Sequence, residues 1–260
     1  MTWDALRAEL EAELGEPVTI DALTGGWSIA QRAKGHRHSI DDVLTAHFAL
    51  QVAPGAATVL DLGTGIGGVG LLVLWGLGPE ATLVAIEAQP ISHRLLLANI
   101  AGNALAARVE PHLGDLRQLA DVRRFPLITG SPPYFPVDAG IVPADSQKAH
   151  ARFELRGDVR DYARAAARHL ADDGAFVFCF PSPQRARAVA AVAEAGLALT
   201  RIREVIPRAT LRPLFTLFAC RRHAGGPPDE APPLVVRDEA GQLTGEMQAV
   251  RRSFGFAVPG

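Results

Sequence analysis

Cysteine, methionine and tyrosine are scarce, with two of each among 260 residues. Cys179 and Cys220 both lie in apolar, strand-like runs, so we expect two buried thiols in a cytoplasmic protein rather than a disulfide. No run of about 18 apolar residues occurs, so we expect no membrane span. Residues 2–14 are rich in Glu and Leu and do not resemble a signal peptide. These shortages argue against a secreted disulfide scaffold and an integral membrane protein.

Metal-binding and hydrolase patterns are also missing from the sequence. The eight histidines show no metal-ligand spacing apart from His36 and His38, which we expect on a surface strand. Ser131 has no accompanying histidine and acid in the arrangement that a hydrolase requires. We therefore predict neither a metal site nor a nucleophilic serine.

Positive charge comes almost entirely from arginine and is unevenly placed. The net charge is −2, with 24 Arg against 2 Lys, but residues 151–224 hold 13 Arg and 7 acids. Such a region can steer a polyanion towards the protein. Charge alone is equally compatible with ordinary solvated helix faces, so both interpretations stay open at this point.

A regular alternation of apolar strands and helices occupies the middle of the chain. Strands that are apolar on both faces and separated by helices predict a parallel sheet between two helix layers. The last two strands have too short a link for a crossover helix, so we expect them to pair antiparallel. The fold class is thus α/β, a Rossmann-like sheet of seven strands, mostly parallel, with an antiparallel terminal hairpin strand. The predicted strands are 58–62, 82–86, 109–113, 126–129, 175–180, 198–206 and 214–221.

Three segments follow from this pattern. Residues 1–55 form a helical entry segment packed on the core, 56–223 the main domain, and 224–260 a linker with a terminal extension. Two prolines and a glycine interrupt residues 135–150, which lack clear periodicity. We interpret that stretch as a lid beside a ligand site.

A glycine-rich turn after the first predicted strand of the main domain can hold a nucleoside cofactor. Gly63, Gly65 and Gly68 fit the dinucleotide pattern, and Glu87 ends the next strand. Asp61 favours S-adenosylmethionine over a dinucleotide, because an acid there repels a pyrophosphate but attracts a cationic amino-acid end. Asp115 ends the third strand and is placed for the adenine amine. We predict donor-binding roles for Asp61, Gly63, Thr64, Gly65, Glu87, Asp115 and Leu116.

Ser131-Pro132-Pro133-Tyr134 follows the fourth predicted strand, beside the topological switch point. The amine on a nucleobase is a poor nucleophile because its lone pair is delocalised into the ring. An acceptor at Ser131 and the Pro132 carbonyl would bind its two hydrogens, aim the lone pair at the methyl group and so favour the transition state. Tyr134 would stack on the base. The catalytic candidates are Ser131, Pro132 and Tyr134.

With these motifs placed, the chain resembles the bacterial tRNA1(Val) (adenine(37)-N6)-methyltransferases, which are class I amino-methyltransferases dependent on S-adenosylmethionine. The similarity spans most of residues 20–222, with Asn usual in the family where this chain has Ser131. Serine also occupies this place in DNA cytosine-N4 enzymes. The residues that carry the resemblance lie in 20–26, 35–44, 86–89 and 151–154, with a weaker match over 241–246.

The resemblance implies methylation of an adenine in tRNA, with S-adenosylmethionine as the donor. From the excess of positive charge, we expect the phosphates near the Arg-rich region 201–222, on or near the terminal hairpin, which holds Arg201, Arg203, Arg208, Arg212, Arg221 and Arg222. Asp41, near the mouth of the site, is expected either to approach the donor or to cap a helix. Two alternatives stay open: the same chemistry on a small-molecule or protein amine, and a non-catalytic module that retains the cofactor fold.

Overall fold

Eight strands form the central sheet of the protein, and helices cover both of its faces. The computed structural model describes residues 2–120, 122–138, 140–141 and 143–257. Within those residues, none of the helices combines the length and the apolar character that a membrane crossing requires.

The elements follow the predicted alternation closely. The helices are α1 (Trp3–Leu14), α2 (Ile40–Val52), α3 (Gly68–Leu77), α4 (Pro90–Gly102), α5 (Ser146–Arg152), α6 (Val159–His169), α7 (Arg185–Glu194) and α8 (Gly245–Ser253). The strands are β1 (Val18–Ala22), β2 (Ser28–Arg32), β3 (Thr58–Leu62), β4 (Thr82–Glu87), β5 (Val109–Leu113), β6 (Phe125–Gly130), β7 (Leu170–Pro181), β8 (Ala198–Ile206), β9 (Phe215–Arg221) and β10 (Asp229–Val235).

The main sheet has the order β10-β8-β9-β7-β6-β3-β4-β5, and β9 is antiparallel to both of its neighbours. This confirms the predicted Rossmann-like α/β fold with its antiparallel hairpin strand. The sheet has eight strands rather than the predicted seven, because β10 pairs parallel with β8. Its residues belong to the segment predicted as a linker. Proline lacks a ladder donor and is tolerated on an edge strand, and here the pairing shifts register between Ala231 and Leu234, around the two prolines.

The core lies on both faces of the sheet. Alternate residues of β7 point to opposite sides, with Val177 and Cys179 in one apolar cluster and Phe176, Phe178 and Phe180 in the other. The first cluster also contains α2, α3 and α4, and the second contains α6 and α7. Cys179 and Cys220 are buried and unpaired, which confirms the expectation of two buried thiols.

The β1–β2 hairpin was not predicted, and two asparagines, Asn99 of α4 and Asn103 just after that helix, hold it against the main domain. Asn99 is fully buried; its Oδ1 accepts from Ala30 N at 2.6 Å, and its Nδ2 donates to Ala30 O at 3.3 Å and Ile66 O at 2.9 Å. Asn103 makes the same paired contacts with Ser28. The expectation of a surface strand at His36 and His38 is wrong, since the chain leaves β2 at Arg32 and both histidines follow in a loop.

Replacement of Asn99 by alanine should lower the free energy of unfolding by about 2–4 kcal/mol, because buried backbone groups of Ala30 and Ile66 lose their partners. Urea unfolding followed by circular dichroism measures this loss. Leu97→Ala, on an exposed face of the same helix, should change it by less than about 1 kcal/mol. Equal effects of the two substitutions would contradict the assigned role of Asn99.

Candidate functional site

The carboxyl ends of β3, β4 and β6 meet at one edge of the sheet, where a cavity of about 370 Å³ opens. This volume lies within the range of small-molecule sites. Every residue predicted from the sequence to bind the donor or to act in transfer lines it: Asp61, Gly63, Thr64, Gly65, Glu87, Asp115, Leu116, Ser131, Pro132 and Tyr134. The fold therefore brings the two predicted motifs to one cavity.

Gly63 and Gly65, in the turn after β3, differ in what lies beside them. Both have a φ of +60°, which favours glycine. A Cβ on Gly63 would lie 2.0 Å from Tyr162 Oη, so this residue makes room for a neighbouring side chain. A Cβ on Gly65 would meet nothing within 4 Å, so its backbone faces open space on the cavity side. Gly65 is the position that a ligand can approach closely.

Asp61 is buried, and its carboxylate binds protein donors on three sides. Its Oδ2 accepts from Thr64 Oγ1 at 2.6 Å and from Gly70 N at 3.0 Å, and its Oδ1 accepts from Thr129 Oγ1 at 2.7 Å. Burial raises the pKa of this carboxyl from 3.8 to about 6, although the three hydrogen bonds oppose the shift. Asp61 thus shapes the turn and supplies negative charge beneath it.

Glu87 joins the turn to the start of α4. Its carboxylate accepts from Gly65 N at 2.9 Å and from Gln89 N at 2.7 Å. Burial raises the pKa of Glu87 despite these bonds. A carboxylate has about four lone-pair positions, so acceptor capacity remains for a hydroxyl group of a ligand.

Asp115 caps the short 3₁₀ turn Leu116–Gln118, accepting from Arg117 N at 2.9 Å. The Arg117 guanidinium also binds it, with Nη2 2.5 Å from Oδ2, and this hydrogen bond lowers the pKa of Asp115. Leu116 is buried beside the cavity. A contact between Asp115 and a ligand would share the carboxylate with Arg117.

The segment Ser131–Tyr134, which we call the transfer motif, contacts residues that are far away in the sequence. Ser131 Oγ lies 3.3 Å from Cys179 Sγ, and Tyr134 Oη lies 3.3 Å from the same sulfur. Tyr134 also donates to Asp41 Oδ2 at 2.9 Å, and burial raises its pKa well above the ordinary value. Asp41 therefore lies at the site, and its contact there is with the motif tyrosine.

Part of the predicted lid, 135–150, is the helix α5, which carries on to Arg152 beside the cavity. Asp145 forms an ion pair with Arg32 at 2.7 Å, and buried Gln147 donates to Ser92 Oγ at 3.1 Å. At the other end, the Arg152 carbonyl accepts from Tyr134 N at 3.0 Å and Phe135 N at 2.9 Å. Ala139 and Val142 lie outside the described residues.

Sequence reasoning missed Tyr162, Arg152 and Arg156, all of which line the cavity. Tyr162 comes from α6 and packs under Gly63 and Gly130, whose missing side chains leave it space. In the sequence, only Gly63 indicated a close approach at this position, and no pattern identified Tyr162 as the residue that makes it. Among the described residues, no group of three or more His, Cys, Asp and Glu side chains has a metal-binding arrangement.

The Arg-rich region 201–222 is divided between the two edges of the sheet. Arg201, Arg221 and Arg222 lie towards the edge opposite the cavity, since β9 ends where β7 begins. Arg201 pairs with Asp229, Arg203 with Glu246 and Arg222 with Asp172, while Arg221 donates to a backbone carbonyl. Arg208 and Arg212 are exposed in the β8–β9 loop, on the cavity side.

Comparison with known proteins agrees with this geometry. No family model matches the chain. It is 25% identical over 198 residues to the tRNA1(Val) (adenine(37)-N6)-methyltransferase of Actinobacillus pleuropneumoniae serotype 7, covering 75% of this chain and 81% of that protein. It is 30% identical over 154 residues to the protein of the same name from Bacteroides thetaiotaomicron, covering 59% and 64%. The chain is a methyltransferase.

The predicted resemblance is thus confirmed. Among solved structures, a predicted O-methyltransferase from Agrobacterium tumefaciens superimposes with a TM-score of 0.63 at 17% identity, covering 82% of this chain and 96% of that one. This likeness supports the class I methyltransferase fold.

We predict that Asp61 makes donor binding sensitive to pH. Its ionised carboxylate accepts three hydrogen bonds, so a proton gained as pH falls through about 6 weakens them and removes a negative charge. We expect the Kd for S-adenosylmethionine to rise up to tenfold per pH unit below that value. Calorimetry between pH 5 and 8 measures it.

The control is Asp61→Asn, which should bind the donor weakly at every pH and lose the step near pH 6. A step of unchanged size in this variant would assign the titration to another group.

Proposed function

We propose that this methyltransferase transfers a methyl group from S-adenosylmethionine to the N6 nitrogen of an adenine in tRNA. The observation that carries the proposal is the single cavity shared by the glycine turn and the Ser131–Tyr134 motif. The curated relatives add support, because their names specify the same acceptor.

The residues of the turn fit the donor. Gly65 leaves the backbone open to a ligand, α3 begins three residues later without a side-chain cap, and Glu87 retains acceptor capacity on the cavity side. We assign the amino-acid end of the donor to the turn above Asp61, its ribose to Glu87 and its adenine to Asp115 and Leu116. When bound, the donor supplies an electrophilic methyl group on its sulfonium.

The transfer motif then holds the acceptor. Ser131 and the Pro132 carbonyl would take the two amine hydrogens, which draws the nitrogen towards tetrahedral geometry and directs its lone pair. Buried prolines keep this loop stiff, and Tyr134 offers a ring for stacking on the base. No base is needed before transfer, because the amine loses its proton afterwards.

A methyl-transfer assay tests the acceptor class. With labelled donor, we expect incorporation into tRNA from a strain that lacks this gene, recovered as N6-methyladenosine. Tyr134→Ala should lower kcat/KM for tRNA by about 10- to 100-fold, the value of one stacked base. Its Kd for the donor should stay within about threefold of wild type.

The same assay with peptide and metabolite fractions separates the alternatives. Label that enters those fractions and not tRNA would replace the proposed acceptor by a small-molecule or protein amine.

We further propose that tRNA phosphates contact the cavity rim rather than the body of the Arg-rich hairpin. Arg152 and Arg156 are exposed and line the cavity, and among the described residues neither forms a hydrogen bond or salt bridge with an acidic side chain, although Arg156 donates to the Ala88 carbonyl. Arg208 and Arg212 are equally exposed on the same edge of the sheet. Three hairpin arginines, Arg201, Arg203 and Arg222, already pair with acidic side chains of the protein, so they offer less charge to a phosphate.

Salt dependence of tRNA binding distinguishes these surfaces. Arg152→Ala should reduce the slope of log K against log salt by about 0.7–0.9, the share of one phosphate contact. Arg124→Ala is the matched control, because that exposed arginine lies just before β6, at the opposite edge of the sheet. A larger change for Arg221→Ala than for Arg152→Ala would restore the hairpin as the binding face.

A further inference from the structure

Two side chains of the transfer motif and two that lie beneath it form a continuous series of polar contacts. Asp41 Oδ2 lies 2.9 Å from Tyr134 Oη, Tyr134 Oη lies 3.3 Å from Cys179 Sγ, and Cys179 Sγ lies 3.3 Å from Ser131 Oγ. The four residues come from α2, the motif and the centre of the sheet. Cys179 is fully buried, whereas Ser131 is half-buried and lines the cavity.

The carboxylate at one end sets the direction of every hydrogen bond in this chain. An ionised carboxylate only accepts hydrogen bonds, so Tyr134 donates its single hydroxyl hydrogen to Asp41. The phenol oxygen can then only accept, which makes the Cys179 thiol its donor. The sulfur in turn accepts, so the Ser131 hydroxyl donates to it, and the Thr45 hydroxyl, which also approaches the thiol, can donate to the sulfur in the same way. The Ser131 oxygen is left with lone pairs alone for the cavity.

We infer that Asp41, Tyr134 and Cys179 act as positioning residues that fix the Ser131 hydroxyl as a hydrogen-bond acceptor. The site thereby selects a methyl acceptor that presents a hydrogen to Ser131, as an exocyclic amine does. A keto oxygen or a ring nitrogen without hydrogen would face a lone pair of the Ser131 oxygen and could not form a hydrogen bond with it. This inference rests on the proposed transfer to an amino nitrogen.

The chain explains how serine can stand where an asparagine would be expected. A free hydroxyl rotates and can donate or accept, whereas an amide carbonyl only accepts. The contact with Cys179 removes that freedom, and Ser131 then offers the cavity what a carbonyl would offer.

The surroundings of Cys179 and Tyr134 keep the thiol and the phenol protonated, as this direction of hydrogen bonding requires. Burial raises the pKa of the Cys179 thiol to about 12 and that of the Tyr134 phenol well above its ordinary value. Both groups are thus protonated at neutral pH. Hydrogen bonds in series also polarise one another in a site of low polarity, which strengthens the acceptor at the far end.

Substitution of Cys179 tests the inference with tRNA as the acceptor. Cys179→Ala should lower kcat about tenfold, the value of roughly one hydrogen bond, and leave the Kd for the donor within about twofold. Cys179→Ser keeps one donor and one acceptor, so it should recover kcat to within about threefold of wild type. Cys220→Ala, the matched control at the other buried thiol, should leave kcat unchanged whatever its effect on stability.

A second variant pair separates positioning from loss of packing. In a Ser131→Asn background the acceptor is a carbonyl, so the added Cys179→Ala change should alter kcat by less than about twofold. An equal loss in both backgrounds, or no rescue by serine, would overturn the inference. Wild-type protein that methylates no amine would instead overturn the proposed function.

Discussion

The carboxylate of Asp61 is the constraint on which the rest of the site depends. It ties β3 to β6 through Thr129, to the glycine turn through Thr64 and to the first turn of α3 through Gly70. A hydrogen bond to a charged group contributes about 1.5–3 kcal/mol, so three of them fix these elements together. The positions of Gly65 and Ser131 relative to each other follow from that connection, since each comes directly after a strand that Asp61 joins.

A second constraint is the space that glycine leaves at two of these strand ends. Tyr162 enters from α6 under Gly63 and Gly130, and a Cβ at either position would lie less than 3 Å from its ring or hydroxyl. Residues 63 and 130 therefore serve packing, while Gly65 serves the ligand. One glycine pattern thus combines two requirements, which explains why the pattern alone cannot distinguish a dinucleotide from a methyl donor.

The sequence alone predicted the features of the fold and the site that depend on local residue patterns. Apolar strands such as 58–62 and the short link before 215 predicted a parallel sheet with an antiparallel hairpin strand, and the motif residues all reached one cavity. Features that depend on pairing across the fold were missed. β10 contains two prolines, and only its place at an edge beside β8 makes it a strand. The arginines at 201–222 formed one group in the sequence, but the register of β8 and β9 divides them between opposite edges.

The Ser131 site shows the same limit at the level of chemistry. In the sequence, serine is simply shorter than the asparagine of similar proteins, and the identity of the acceptor stays open. In the fold, the Cys179 thiol lies 3.3 Å from the serine hydroxyl and takes its hydrogen, so the serine oxygen presents an acceptor to the cavity. Serine at 131 and cysteine at 179 are therefore matched in hydrogen bonding, so the role of each depends on the other. An asparagine at 131 would bring its own carbonyl acceptor, so the hydrogen bond to Cys179 would no longer decide what this position offers the acceptor.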